Sequence, residues 1–269
     1  MFLPNLQEQY GLIKEIYKLA ISMEDTMHIE LDVHTHTVVS GHAYSTIREM
    51  AREASKKGLK LLGITEHAPG IPGTCSCIYF ENLRVIPRNM YRVELLLGAE
   101  INILDYDGKL SLEDRLIDKL DIRIAGIHNH CYIPGTIEQN TSAIIGAIKN
   151  PKIDIISHPD DGSCPLDYDV IVQAAKKYNT LLEVNNNSLN PINGRKSARE
   201  NNIRMLFLCK KYDVPIILAS DAHVDIDISR FDFVDEILHD VNFPEELIIN
   251  KSAIDFKNRL RLNRSNNFI

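Results

Sequence analysis

The chain has 269 residues, of which 44% are hydrophobic and 25% charged, the mix of a globular protein with a substantial core. A net charge of −7 argues against a protein built to wrap nucleic acid. The five cysteines (Cys75, Cys77, Cys131, Cys164, Cys209) are odd in number and irregularly spaced, so they form no disulfide framework and fit a reducing compartment.

Residues 1–27 read as an appendage. Leu6, Tyr10, Ile13, Ile16, Tyr17 and Ala20 recur at helical spacing and predict an amphipathic helix. Glu8, Lys14, Glu15 and Lys18 interrupt it, which is incompatible with a signal-peptide core or a membrane span. No other run approaches 18 uninterrupted apolar residues, so a cytoplasmic protein without membrane partners is expected. The helix is expected to pack on the following domain or on a neighbouring subunit, which makes a homo-oligomer plausible.

Residues 28–269 alternate short apolar runs with longer helical patterns. Strands are predicted at 29–34, 60–65, 94–100, 121–127, 153–157, 181–185 and 215–220. Helices are predicted at 44–57, 112–119, 136–149, 168–178, 197–212, 234–240 and 252–262. Asp105-Tyr-Asp-Gly108 predicts a tight turn and a small hairpin after the third strand. Strands spaced by helices imply a parallel α/β sheet. Without a glycine-rich dinucleotide fingerprint, seven such strands favour a single-domain, distorted seven-stranded (β/α)7 barrel over a doubly wound sheet.

Candidate ligands stand at six of the seven predicted strand ends: His34 and His36, His67, Glu100, His128, His158, and Asp221 with His223. His42 follows shortly after the first. The loops after the strands form the active face of a parallel barrel. Chance would scatter histidines over helices and both ends of the sheet. Side chains at i and i+2 of a strand emerge on one side, so His34/His36, His128/His130 and Asp221/His223 can each work as a pair. Nine nitrogen and oxygen donors suffice for two or three transition metals. Imidazole-rich ligation selects zinc, manganese or iron over magnesium or calcium. With three divalent ions, Glu100 and Asp221 return only two of six positive charges, so the site would attract a compact anion such as phosphate. The sixth strand ends in Asn185-Asn-Asn187-Ser188, polar but poor in metal donors. Cys75-Ser-Cys77 lacks a second pair and reads as a loop.

The segments Asp32-Val-His-Thr-His36, Ser40-Gly-His-Ala-Tyr-Ser45, Ile64-Thr-Glu-His67, Gly98-Ala-Glu100, Ala125-Gly-Ile-His128, Ile156-Ser-His-Pro159 and Ala219-Ser-Asp-Ala-His223 resemble the PHP (polymerase and histidinol phosphatase) family, most of all its small stand-alone bacterial phosphatases of the YcdX type. The resemblance spans about residues 27–250. It implies three divalent metals, zinc first and manganese or iron as alternatives. His34, His36, Glu100 and Asp221 would hold one, Glu100, His128 and His158 a second, and His42, His67 and His223 the third. Glu66, where Asp is common, and His128-Asn-His130 depart from the pattern without removing a ligand.

The activity so implied is hydrolysis of small phosphomonoesters by a metal-bridging hydroxide that attacks phosphorus in line. Asp221, Glu100 and His223 would be catalytic as ligands that orient the nucleophile. Arg195 would hold phosphate as a bidentate fork. His130, a candidate general acid, and Asn187 and Ser188 would face the substrate. Glu66 and Asp32 are expected to fix histidine tautomers. The alternatives are a metal-dependent nuclease acting on DNA ends, an amidohydrolase-type hydrolase, or a non-catalytic metal-binding module.

Overall fold

A computed structural model describes residues 27–192 and 194–265. The expected N-terminal helix lies outside them. The described chain enters at β1 (Leu31–Asp32) and passes through α1 (Ile47–Lys56), β2 (Leu61–His67), α2 (Cys77–Asn82), β3 (Asn89–Met90), β4 (Val93–Asn102), α3 (Asp114–Ile117) and β5 (Ile122–Gly126). It continues with α4 (Ile137–Lys149), β6 (Ile155–Ile156), α5 (Tyr168–Tyr178), β7 (Leu181–Asn185), α6 (Ala198–Tyr212), β8 (Ile216–Ala219), α7 (Asp232–Asp240) and α8 (Ala253–Ser265). Local chemistry starts the helices where it can satisfy free N–H groups. Thr46 and Glu49 cap α1 reciprocally, and Thr136 and Gln139 do the same for α4.

Seven strands pair in parallel in the order β1-β2-β4-β5-β6-β7-β8 and form a nearly closed barrel with helices between them. This is the expected (β/α)7 architecture. Two elements were not foreseen. Residues 77–82 form α2 inside what the sequence presents as a Pro/Gly-rich loop. The two-residue β3 pairs antiparallel with β4 through a turn in which Tyr91 and Arg92 both take positive φ. The expected hairpin after β4 is present: Ile103 bridges Leu110, and Asp105 Oδ1 accepts from the N–H groups of Asp107 and Lys109. Gly108 has φ +84° there, and a Cβ would lie 2.6 Å from Gly146 Cα.

Alternation along the strands builds two cores. Leu61, Leu96, Ile122, Ile124, Ile155 and Ile217 fill the barrel, where Phe256 and Leu260 of α8 cover the N-terminal strand ends. Leu62, Leu95, Leu97, Leu182 and Leu218 face outward under the helices. Between β8 and β1 there is no continuous ladder among the described residues. One parallel bridge, Thr35–Ala222, joins them at the mouth. Lower down, the buried Asn250 side chain substitutes for a ladder: Oδ1 accepts from Leu218 N (2.7 Å), and Nδ2 donates to the carbonyls of Leu218 (2.8 Å) and Leu31 (3.1 Å). No described helix is long and apolar enough to cross a membrane.

Candidate metal centre

The C-terminal strand ends bring all nine expected donors to one place. Glu100, near the end of β4, stands at the centre with imidazoles facing both of its oxygens. Its Oε1 lies 2.6 Å from His158 Nε2 and 3.1 Å from His128 Nε2. Its Oε2 lies 2.9 Å from His67 Nδ1, 3.3 Å from His34 Nε2 and 3.6 Å from His36 Nε2. Asp221 faces the same imidazoles from the seam, its Oδ1 being 3.3 Å from His36 Nε2 and 3.6 Å from His34 Nε2. His42 Nε2 and His223 Nε2 meet 3.1 Å apart at the outer edge. By mutual distance the donors fall into His34/His36/Asp221, His67/Glu100/His128 and His36/His67/His223, neighbouring groups sharing His36 or His67.

Backbone strain helps to aim these groups. His158 and Asp221 have φ +29° and +54°, conformations that non-glycine residues adopt only when the surroundings hold them. Gly126, at the end of β5, leaves room for His158 and for Glu100. A Cβ there would lie 2.2 Å from Ser157 Oγ, 3.1 Å from His158 Cε1 and 3.3 Å from Glu100 Oε1.

Charge follows from this crowding. Burial alone would raise the Glu100 carboxyl, but His128, His34, His67 and His158 around it hold it well below the usual carboxylate range. Burial likewise opposes ionisation of Asp221, and His34, His36 and His223 overcome it. Burial, reinforced by His67 and His223, pushes His36 well down. For His34 burial is outweighed by Glu183, Glu100 and Asp221, which raise it well above the ordinary value. Two ionised carboxylates among imidazoles, with His36 kept neutral by burial, form a donor set suited to divalent transition metals, and an ion bound at His34 would displace the proton that Glu183, Glu100 and Asp221 favour there.

The residues fit such ions on two observations. Glu100 Oε2, His67 Nδ1 and His128 Nδ1 are buried without an aligned hydrogen-bond partner, which is costly for groups of this polarity. The Nε2 atoms of His34 and His36 also face each other at 3.1 Å, as do those of His42 and His223. Ring nitrogens directed at each other in this way can share one cation.

A supporting layer fixes the rings. His36 Nδ1 lies 3.1 Å from Ser40 Oγ, and Ser40 Oγ donates to Glu66 Oε2 (2.6 Å). Glu66 thus orients a histidine at one remove, through Ser40. Asp32 touches no imidazole by hydrogen bond; it accepts from the Ser220 hydroxyl and from Ser229 N (2.8 Å), tying β1 to the seam. Sequence reasoning missed Ser40, Ser157, Asn185 and above all Glu183. Its signal was a lone carboxylate inside the apolar run Leu181-Leu-Glu-Val184, a residue type that is buried only when paired.

The expected substrate residues separate into two sets. Arg195, Asn187 and His130 line a cleft of about 490 Å³ that opens over His42, His67, His128, Asp221 and His223. Ser188 is buried beneath Arg195, with Oγ 2.6 Å from the Arg195 Nη1 that donates to it. The other Arg195 nitrogen, Nη2, lies 3.6 Å from Asp221 Oδ2. Asn190, Arg230 and Phe233, which carried no sequence signal, also line the cleft, as does Tyr44.

The PHP domain family model matches residues 32–260. A probable phosphatase of Caldicellulosiruptor saccharolyticus is 45% identical over 240 residues, covering 89% of this chain and 99% of that protein. One from Clostridium novyi is 47% identical over 224 residues, covering 83% and 91%. Among solved structures, histidinol phosphate phosphatase from Lactococcus lactis, complexed with zinc, L-histidinol and phosphate, superposes with a TM-score of 0.54 at 15% identity, covering 80% of this chain and 94% of that one. At that identity the likeness is one of fold.

Proposed function

The chain belongs to the PHP domain family, and on that premise we propose that it is a metal-dependent phosphoesterase that hydrolyses small phosphomonoesters at a trinuclear centre, most simply of zinc. The observation that carries this reading is Glu100, a carboxylate with imidazoles on both oxygens, flanked by two pairs of facing histidine nitrogens. The ligands would be His34, His36, His42, His67, Glu100, His128, His158, Asp221 and His223. Zinc in the Lactococcus phosphatase and the name of the curated relatives both support it.

Divalent ions bound there would activate water near neutral pH and neutralise charge on a phosphoryl group. The chain's own residues then supply position and proton control. Glu100 and Asp221 stay ionised because the surrounding imidazoles favour it. Arg195, braced by Ser188 through Nη1 and lining the cleft, would offer its remaining guanidinium N–H groups to phosphoryl oxygens. Asn187 and the exposed His130 line the cleft, where they would border the leaving group, and His130 would return a proton to a departing alkoxide. A cleft of about 490 Å³ suits a metabolite-sized ester.

The test is hydrolysis of a generic aryl phosphate by protein stripped of metal and reloaded with zinc or manganese, beside an Asp221→Asn control. Turnover that returns with metal and disappears in the variant is expected. Silence from a fully reloaded wild-type protein would overturn the monoesterase reading and direct attention to DNA ends.

A further inference from the structure

The strand that offers the mouth no metal donor holds a buried carboxylate beneath it with three hydrogen-bond partners. Glu183 lies in the middle of β7, fully buried. Its Oε2 is 2.7 Å from His34 Nδ1. Its Oε1 accepts from His158 N (3.1 Å), the backbone of a strained residue, and from Asn185 Nδ2 (2.7 Å). The same Asn185 amide also donates to Asp221 Oδ2 (3.2 Å). One side chain therefore reaches three donors on three different strand ends: His34 by its ring, His158 by its backbone, Asp221 through Asn185.

We propose that Glu183 is the positioning residue of the centre, fixing His34 with its proton on Nδ1 so that the Nε2 lone pair faces the donor cluster, and setting the placement of His158 and Asp221. A carboxylate can only accept from the ring nitrogen at 2.7 Å, so Nδ1 keeps its proton and Nε2 is the nitrogen that a metal ion, displacing any proton there, would take. Without it, His34 could rotate or take the other tautomer, and the geometry shared with Glu100 and Asp221 would loosen. Removal of such an outer partner lowers metal affinity by roughly 10–100-fold. The inference rests on the metal-binding reading above but not on phosphate ester hydrolysis.

The experiment measures zinc affinity by chelator competition in wild type, Glu183→Gln and Glu183→Asp, with near-ultraviolet circular dichroism to report folding and thermal melting of the metal-free forms. Glu183→Gln should remain folded and bind zinc at least 10-fold more weakly; Glu183→Asp, which keeps the charge one methylene shorter, should lose less. In a His34→Ala background, Glu183→Gln should cost much less affinity than it does alone. A purely structural role would lower the melting temperature of the metal-free protein and leave zinc affinity per folded chain at the wild-type value, which would overturn the inference. Should Glu183→Gln not fold, Glu183→Asp decides on the same criterion. Zinc binding that depends on Glu183 in a protein without phosphatase activity would uphold the inference while the monoesterase reading failed.

Discussion

Thr35 and Ala222 pair in parallel across the barrel seam, His36 N donating to Ala222 O at 2.9 Å, although the two lie near opposite ends of the barrel sequence. Each sits at the centre of a donor pair, His34/His36 on one strand end and Asp221/His223 on the other. Their bridge sets the register that puts Asp221 Oδ1 within 3.6 Å of both histidines of the first pair. The candidate site is thus a product of barrel closure, and features that support closure should support metal binding.

Asn250 is the clearest such feature. Its side chain makes three hydrogen bonds to the backbones of β1 and β8 where no ladder does. Asn250→Ala would leave buried backbone groups unpaired, a loss of about 2–3 kcal/mol. Urea unfolding should show that loss in the midpoint. Since the seam sets the register of Asp221 against His34 and His36, zinc affinity should fall as well. A variant with wild-type stability would remove Asn250 from the closure argument.

Gly126 presents the opposite case, a residue whose value is the side chain it lacks. An added methyl would collide with Ser157 Oγ and crowd His158 and Glu100. Gly126→Ala should therefore displace the Ser157–Glu100 contact, now 2.8 Å, and weaken metal retention by an order of magnitude or more, even where the barrel still folds. Metal content after dialysis against a weak chelator, compared with the melting temperature, separates the two effects. Full metal content in the variant would show that the strand ends can give way.

Away from the site, Asp154 offers a pH test of the fold. It is buried at the N-terminal side of β6, where burial raises its carboxyl to about 6 against the opposing pull of Arg264 and Arg123. The folded value lies above the unfolded one, so protonation favours folding. That contribution is complete below about pH 4 and is lost as pH rises through 6. A shift of about two units corresponds to roughly 3 kcal/mol. Asp154→Asn has no such ionisation, so its stability relative to wild type should rise by up to that amount between pH 4 and pH 7. Urea unfolding of both proteins across the range checks this, because the histidines titrate in both and cancel in the difference. Parallel curves would show that Asp154 does not carry the effect.

Much of this molecule was readable before its fold was known. The apolar runs with helical stretches between them implied parallel strands, since local periodicity reports which face an element buries. Donors clustered after those runs pointed to the active face, as that placement depends only on strand direction. The two-residue β1 and β6 also show that apolar runs overstate regular pairing.

What local pattern could not supply was everything decided across the barrel. Gly126 leaves room for His158 and Glu100, which come from other strands. Glu183 looks like an ordinary polar interruption of β7 until closure brings His34 from β1 and His158 from β6 against it. Arg195 was expected to hold phosphate and Ser188 to face the substrate, yet packing buries Ser188 and sets it as a brace for Arg195. The sequence by itself determined which chemistry gathers at which end of the strands, because side-chain type and alternation are properties of a few adjacent residues. Tertiary structure alone decided which donor faces which, because that is fixed by strand register and seam closure between residues as far apart as Thr35 and Ala222.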